Sequence, residues 1–253
     1  MLPNQTKHPL LGVNTHAQTF GQAIDTLFGW ASDASGRRYV CTCPVYTLMM
    51  CREQPDVMRA VNGADMVTAD GMPIVWLQRR TGAPQAERVY GPDVLDALCK
   101  ATAGTGVSHY FYGGSPEVVG AMIDKLRARL PDLTVAGSFS PPIAPLGSAP
   151  DPEHIARLND SGADIVWVGL GSPKQDLWMA QYRPHLQAPL LIAVGAAFDM
   201  AAGAKRQAPR WMQRSGVEWL FRLLQEPRRL ARRYLVYNPK FILLAVREIG
   251  LKR

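Results

Sequence analysis

The segment Thr68-Ala69-Asp70-Gly71 places a carboxylate where the predicted secondary structure changes. Apolar residues alternate before Asp70 and a helical pattern follows it, so this side chain should lie where a strand ends and the chain turns. In open α/β sheets, ligands bind at the edge formed by the carboxyl ends of the strands. A carboxylate there can act as a general base toward a hydroxyl group, or it can only cap the turn of an Asp-Gly dipeptide.

Three later segments each combine a strand pattern with a glycine turn. The turns contain Gly113 in the first segment, Gly169 and Gly171 in the second, and Gly195 in the third. Glycines before a helix N-terminus let a phosphate approach the exposed amides. These four glycines are therefore candidate substrate-binding residues.

Serine and proline follow two of these turns, as Ser115-Pro116 and Ser172-Pro173. Serine is suited to the N-cap of a helix and proline to its first turn, where no amide donor is required. Gln175 stands three residues after Ser172 and would complete a capping box. Helix capping and phosphate binding are thus two interpretations of the same segments.

Cofactor and metal motifs are incomplete in this chain. Gly169-Leu170-Gly171 lacks the third glycine of the dinucleotide fingerprint, because Lys174 occupies its position. No Gly-Lys-Ser/Thr and no Asp-x-Asp occurs, and the four cysteines follow neither a zinc spacing nor a secreted disulfide framework. We therefore predict no cofactor and no metal, so that cationic side chains or amides must offset the charge of a diphosphate.

Positive charge is concentrated at the C-terminal end. Residues 204–253 contain 13 Lys or Arg and three acidic residues, a net charge of +10, whereas the first 203 residues carry −3. Such a segment suits phosphates, nucleic acid or an anionic lipid surface, or it forms a solvated helix face. Nucleic-acid binding would not explain three glycine turns at one sheet edge, so we predict no nucleic-acid partner.

Strand and helix patterns alternate along the first 203 residues, after a lead-in strand around Leu10–Val13 and including one helix over about 46–61. This alternation predicts a Rossmann-like α/β domain at 1–203, a mainly parallel sheet with helices on both faces. Residues 204–253 are predicted to form a basic helical appendage.

Within the appendage, the chain is expected to be helical from Pro209 onward, with breaks at Pro227 and Pro239. The start of the chain has neither the basic residues nor the apolar core of a signal peptide, which predicts a cytoplasmic location.

Several motifs together resemble the WecG/TagA/CpsF glycosyltransferases, glycosyltransferase family 26. The blocks are Ala69-Asp70-Gly71, Arg88-Val89-Tyr90-Gly91-Pro92-Asp93, Phe111-Tyr112-Gly113-Gly114, Val168-Gly169-Leu170-Gly171-Ser172-Pro173-Lys174-Gln175, Val194-Gly195-Ala196-Ala197-Phe198-Asp199, and the tail from Arg206 to Arg229. Each block is short, and their joint order and spacing over about residues 10–240 carry the resemblance.

The resemblance implies an inverting, metal-independent transferase at the inner face of the cytoplasmic membrane. Its substrates would be a UDP-sugar and an undecaprenyl-diphosphate-linked sugar acceptor in bacterial surface polysaccharide synthesis. Two other hypotheses stay open from the residues alone: a dinucleotide-dependent oxidoreductase and a polybasic adaptor for membrane or nucleic acid. No motif identifies the donor sugar.

The resemblance also implies roles for individual residues of the main domain. Asp70 matches the proposed base and Thr42 a residue of the sugar pocket, although the family's usual Thr-x-Asn is here Thr42-Cys43-Pro44. Arg88 and Gln175 match residues near the donor. Arg88 could instead pair with a nearby acid such as Glu87 or Asp93.

In the appendage, the residues matching the family's lipid-diphosphate arginines are Arg222, Arg229 and Arg232. The helical spacing agrees, because Arg229 lies three residues from Arg232 and four from Arg233, so these cations cluster along one side of a helix. Each guanidinium can bind a phosphate through two donors.

Overall fold

A parallel six-stranded sheet forms the centre of residues 7–251, the part of the chain that the computed structural model describes. An antiparallel hairpin of β1 (Lys7–Leu10) and β2 (Val13–His16) precedes it. The sheet strands are β3 (Arg38–Cys43), β4 (Met66–Ala69), β5 (Ser108–Gly113), β6 (Thr134–Phe139), β7 (Ile165–Gly169) and β8 (Leu190–Ala193). They lie in the order β4-β3-β8-β7-β5-β6, and every neighbouring pair is parallel.

Twelve α-helices lie within the described residues. They are α1 (Phe20–Ala31), α2 (Val45–Glu53), α3 (Pro55–Asn62), α4 (Met72–Arg80), α5 (Gly91–Thr102), α6 (Pro116–Arg129), α7 (Pro152–Asp160), α8 (Lys174–Tyr182), α9 (Ala197–Ala201), α10 (Arg210–Arg214), α11 (Glu218–Gln225) and α12 (Pro227–Leu251). Helices α1, α5, α6 and α9 pack on one face of the sheet, and α2, α3, α4, α7 and α8 on the other. The predicted fold class is confirmed.

The strands carry apolar side chains toward both helical layers. Val40 lies in the core formed with α1 and α5, whereas Cys41 and Cys43 lie in the core formed with α2 and α8. This alternation follows from the two-residue period of a strand, which places the two cysteines on one face. Burial on both faces is the environment expected for a parallel sheet.

The order of the strands creates a crevice at one edge. The chain passes from β3 to β4 on one side of the sheet and then crosses to β5 on the other side, so that β8 lies beside β3. Parallel register aligns the carboxyl ends, with Cys43 opposite Ala69 and Val168 opposite Ala193. Loops diverge from such a switch point and leave room for a ligand.

The elements differ from the sequence predictions at turns and prolines. The lead-in strand expected around Leu10–Val13 is wrong, because Leu11 and Gly12 have φ values of 51° and 89° and form the turn of the β1–β2 hairpin. The single helix expected over 46–61 is two helices, since Pro55 starts α3 and the preceding Gln54 is extended. The edge strand β6 and helix α7 were not predicted.

The C-terminal helices pack against the main domain through α12. Tyr237 and Phe241 are buried in the core on the α2 side, and the Lys240 ammonium lies 2.8 Å from the Glu53 carboxylate. Pro227 occupies the first position of α12, where no amide donor is required, so the predicted break lies at this residue. The break predicted at Pro239 is wrong, because α12 continues through this residue. No helix within residues 7–251 is long and apolar enough to cross a membrane.

Candidate active site

A cleft opens at the carboxyl ends of β3, β4, β7 and β8, and helices α10 to α12 form its opposite wall. It contains about 1070 Å³ of empty space, part of which is open to solvent. Eight of the residues predicted from the sequence line it, namely Thr42, Asp70, Arg88, Gly171, Gln175, Gly195, Arg222 and Arg229. The cleft therefore brings together the strand turns of the main domain and the cations of the tail.

Asp70 lies on the cleft immediately after β4, where the sequence placed it. Its backbone amide donates to the Cys43 carbonyl at 3.2 Å, which continues the β3–β4 pairing by one residue. Gly71, not Asp70, is the N-cap of α4, and it has no side chain with which to cap the helix. One carboxylate oxygen, Oδ1, is buried and has no hydrogen-bond partner.

Burial raises the pKa of Asp70 from 3.8 to about 7, because a charged carboxylate loses its hydration in the cleft wall. The Arg88 guanidinium opposes this shift and the Glu218 carboxylate adds to it. A carboxyl group with a pKa near neutrality and an unoccupied oxygen is well suited to accept a proton from a hydroxyl group.

Arg88 reaches the cleft because the segment after the loop at 81–87 runs beside the end of β4, where the Val89 amide donates to Ala69 O at 3.0 Å. Its guanidinium contacts the Glu218 carboxylate at 2.5 Å and stacks 3.8 Å from the centroid of the Tyr90 ring. Glu87, the neighbouring acid considered from the sequence, accepts from the Phe20 amide instead. The partner of Arg88 thus comes from α11.

Gln175 joins the two glycine turns that line the cleft. Its Oε1 accepts from the amides of Gly171 and Gly195, both at 3.0 Å, and its Nε2 donates to Ser172 Oγ at 3.2 Å. The predicted capping box is wrong, because α8 begins after Pro173 and has no side-chain cap. The capping prediction for Ser115 is confirmed by its bond from the Val118 amide.

Gly113 and Gly169 lie outside the residues that line the cleft. A Cβ atom on Gly113 would stand 2.8 Å from the backbone of Gly169, and one on Gly169 would stand 2.5 Å from the Phe198 ring. These distances are shorter than any ordinary carbon contact. In this structure the two glycines allow β5, β7 and α9 to approach closely, while Gly171 and Gly195 face the cleft.

Arginines from the tail line the opposite wall. Arg229 pairs with Glu226, whereas Arg233 stacks 4.3 Å from the centroid of the Tyr46 ring and has a buried Nε atom without a partner. Within residues 7–251, Arg222 and Arg233 have no carboxylate within 4.0 Å. Both cations are therefore available to a negatively charged ligand.

Arg232 does not line the cleft and is exposed on α12. Its neighbour Arg233 takes that position, four residues beyond Arg229 on the same side of the helix. Sequence spacing included both arginines in one cluster. Only the packing of α12 against α2 decides which of them faces inward.

Sequence reasoning missed several polar or aromatic residues of the cleft, among them Tyr90, Gln213, Glu218 and Tyr234. Glu218 carried a detectable signal, since it is one of only three acidic residues in the basic segment 204–253. Gln213 accepts from Arg88 at 3.3 Å and donates to Ala208 O at 2.8 Å, a pairing without a local sequence pattern.

No group of three or more His, Cys, Asp or Glu side chains within residues 7–251 is arranged to hold a metal ion. The positive charges that face the cleft come from Arg88, Arg222, Arg229 and Arg233. Guanidinium groups bind phosphate oxygens through two parallel donors and remain charged at all ordinary pH values. The cleft thus combines one potential base with an anion-binding wall.

The model of the Glycosyl transferase WecG/TagA/CpsF family matches residues 8–253. The chain belongs to this family. It is therefore a glycosyltransferase of cell-surface polysaccharide synthesis, and the resemblance drawn from the motif blocks is confirmed. Of the three functional hypotheses drawn from the sequence, the family supports this one.

Proposed function

We propose that this glycosyltransferase moves a sugar from a UDP-sugar to a sugar linked to undecaprenyl diphosphate, with inversion and without a metal ion. The observation that carries the proposal is the position of Asp70. Asp70 lines a cleft whose other wall presents arginines, its Oδ1 atom has no hydrogen-bond partner, and burial raises its pKa to about 7. A base opposite an anion-binding wall is the pair of functions that this transfer requires.

In the proposed reaction, the acceptor hydroxyl attacks the anomeric carbon of the donor sugar. Asp70 takes the hydroxyl proton as the new carbon–oxygen bond forms and the bond to the diphosphate breaks. Attack from the side opposite the leaving group inverts the anomeric configuration. Arg88, Arg222 and Arg233 offset the charge that develops on the departing UDP, the role that a metal ion has in other transferases.

The predicted substrate-binding residues contribute in two ways. Thr42, which is buried at the carboxyl end of β3 and lines the cleft, is proposed to contact the donor sugar. Gln175 is proposed to hold the turns of Gly171 and Gly195 at the spacing that the donor needs, since it accepts from both amides.

Residues 204–253 are proposed to bind the acceptor lipid and the inner face of the cytoplasmic membrane. Arg229 lies at the cleft and is proposed to contact the lipid diphosphate, while the exposed Arg232 faces lipid headgroups. Large apolar side chains are also exposed in this segment, including Leu224, Leu235 and Ile242. Each basic residue near an anionic leaflet contributes about 1 kcal/mol, so a segment of +10 can hold the protein at the surface.

A screen of UDP-sugars against a short-chain lipid-diphosphate sugar, with EDTA present, tests the proposal. We expect transfer from at least one UDP-sugar, with release of UDP and an inverted anomeric configuration. Asp70→Asn should bind the same donor and lose about 10²- to 10⁴-fold in kcat, the usual contribution of a general base. Full activity of Asp70→Asn would rule out the base assignment, and activity abolished by EDTA would rule out metal independence.

A further inference from the structure

Glu218 connects the tail to the main domain through both oxygens of its carboxylate. Oε2 accepts from Arg88 Nη2 at 2.5 Å, and Oε1 accepts from the Tyr90 hydroxyl at 3.0 Å. The side chains of Glu218 and Arg88 are each only 13% exposed. Each oxygen of the carboxylate thus has a partner, and the side chain lies in the first turn of α11, where the helix dipole favours negative charge.

These contacts determine the orientation of Arg88. Its Nη2 is held by Glu218, its Nη1 by Gln213 and its planar face by Tyr90. Arg88 is close enough to oppose the rise in the pKa of Asp70, yet within the described residues it forms no ion pair with that carboxylate. Asp70 Oδ1 has no hydrogen-bond partner in this arrangement.

We propose that Glu218 is a positioning residue that holds Arg88 away from Asp70 and thereby keeps the Asp70 carboxylate unpaired. The part of this inference that concerns proton removal rests on the proposed function. The part that concerns the position of Arg88 and the titration of Asp70 does not, because both can be measured without any substrate.

The physical reason is the strong tendency of buried opposite charges to pair. Without Glu218, the Arg88 guanidinium would lose its counterion, and the Asp70 carboxylate is close enough to interact with it electrostatically. Such a pair would stabilise ionised Asp70 and occupy the oxygen that accepts the proton, giving a weaker base. Loss of the negative charge of Glu218 acts in the same direction, since that charge raises the pKa of Asp70.

The other groups that face Asp70 do not reverse this expectation. Arg222 of α11 and Arg233 of α12 both lower the pKa of Asp70, and both remain in a Glu218 variant. Burial raises the pKa of Cys43 on β3 and of Tyr90, so these two groups stay neutral near pH 7. Because Glu218 belongs to the tail, the base strength of Asp70 depends on the docking of α11.

The test is a carboxyl NMR titration of the full-length chain labelled with ¹³C-aspartate. Loss of one signal in Asp70→Asn assigns Asp70. In Glu218→Gln, we expect the pKa of Asp70 to fall by about one unit or more, the usual effect of an adjacent opposite charge. Glu53→Gln is the matched control, because it disrupts a different ion pair between the main domain and the tail, with Lys240, away from the cleft.

A second comparison separates the swing of Arg88 from the simple loss of a charge. Glu218→Gln in an Arg88→Gln background should lower the pKa of Asp70 less than in the native background, because no guanidinium is left to approach it. If Glu218→Gln does not fold, Glu218→Asp keeps the charge and withdraws it by one methylene, and it should shift the titration in the same direction.

An unchanged or higher pKa of Asp70 in the folded Glu218 variants, or the same decrease in Glu53→Gln, would overturn the proposal. With an active donor, the acid limb of the kcat profile should move to lower pH and the plateau should fall about threefold to tenfold, as expected for a weaker base. If the pKa of Asp70 falls as expected in Glu218→Gln but the native chain transfers no sugar, the result would count against the proposed function alone.

Discussion

Asp70→Asn should stabilise the protein at alkaline pH and lower the rate of the proposed transfer. Folded Asp70 has a pKa of about 7, against 3.8 for an exposed aspartate, because the cleft wall desolvates its carboxylate. The folded state therefore binds this proton more tightly than the unfolded state. The stabilisation is complete below about pH 3.8 and is lost as the pH rises through 7. Asp70→Asn keeps a neutral side chain at every pH and escapes this loss.

The size of the effect follows from the two pKa values. Each pKa unit corresponds to about 1.36 kcal/mol, so ionisation of Asp70 in the folded chain costs about 4 kcal/mol at high pH. About 2 kcal/mol of this cost develops between roughly pH 5.5 and pH 8.5. The hydrogen bonds of the new amide contribute equally at both pH values. The change in the mutational effect between the two pH values therefore isolates the ionisation of Asp70.

Urea unfolding of the native chain and of Asp70→Asn, followed by tryptophan fluorescence at the two pH values, measures this change. We expect the free energy of unfolding of Asp70→Asn, relative to the native chain, to increase by about 2 kcal/mol on going to the higher pH. Asp25→Asn, an exposed position on α1, is the control and should change by less than about 0.5 kcal/mol. A change near zero, or of opposite sign, for Asp70→Asn would refute the desolvation argument.

Three further predictions concern residues around the cleft. Burial also raises the pKa of Asp176 to about 7, but this residue lies in the core rather than on the cleft. Asp176→Asn should therefore show the same pH-dependent increase in the free energy of unfolding and retain transfer activity. Gln175→Ala leaves two half-buried amides without their acceptor and should lower the free energy of unfolding by about 1–3 kcal/mol, whereas a loss below 0.5 kcal/mol would contradict the bridging role. Arg233→Gln should raise the KM for the donor about tenfold or more, as expected for loss of a charged phosphate contact. Arg232→Gln should reduce sedimentation with anionic vesicles and leave the donor KM unchanged. A raised donor KM in Arg232→Gln, with reduced vesicle sedimentation in Arg233→Gln, would contradict the assignment of the two arginines.

The sequence by itself determined the features that depend on local periodicity. Alternating apolar residues predicted the strands that end at Asp70 and at the glycine turns, and a parallel sheet brings such ends to one edge. The concentration of positive charge in residues 204–253 was equally visible without coordinates. Motif order identified the family, which the match over residues 8–253 confirms.

Tertiary structure alone decided which residues meet across long distances in the chain. Arg88 pairs with Glu218, 130 residues further along the chain, rather than with its neighbour Glu87, because the fold brings α11 beside the segment that carries Arg88. The rotation of α12 turns Arg233 inward and Arg232 outward, although both belong to one helical cluster. These choices depend on packing between elements, whereas period and composition report only the preferences of each element by itself.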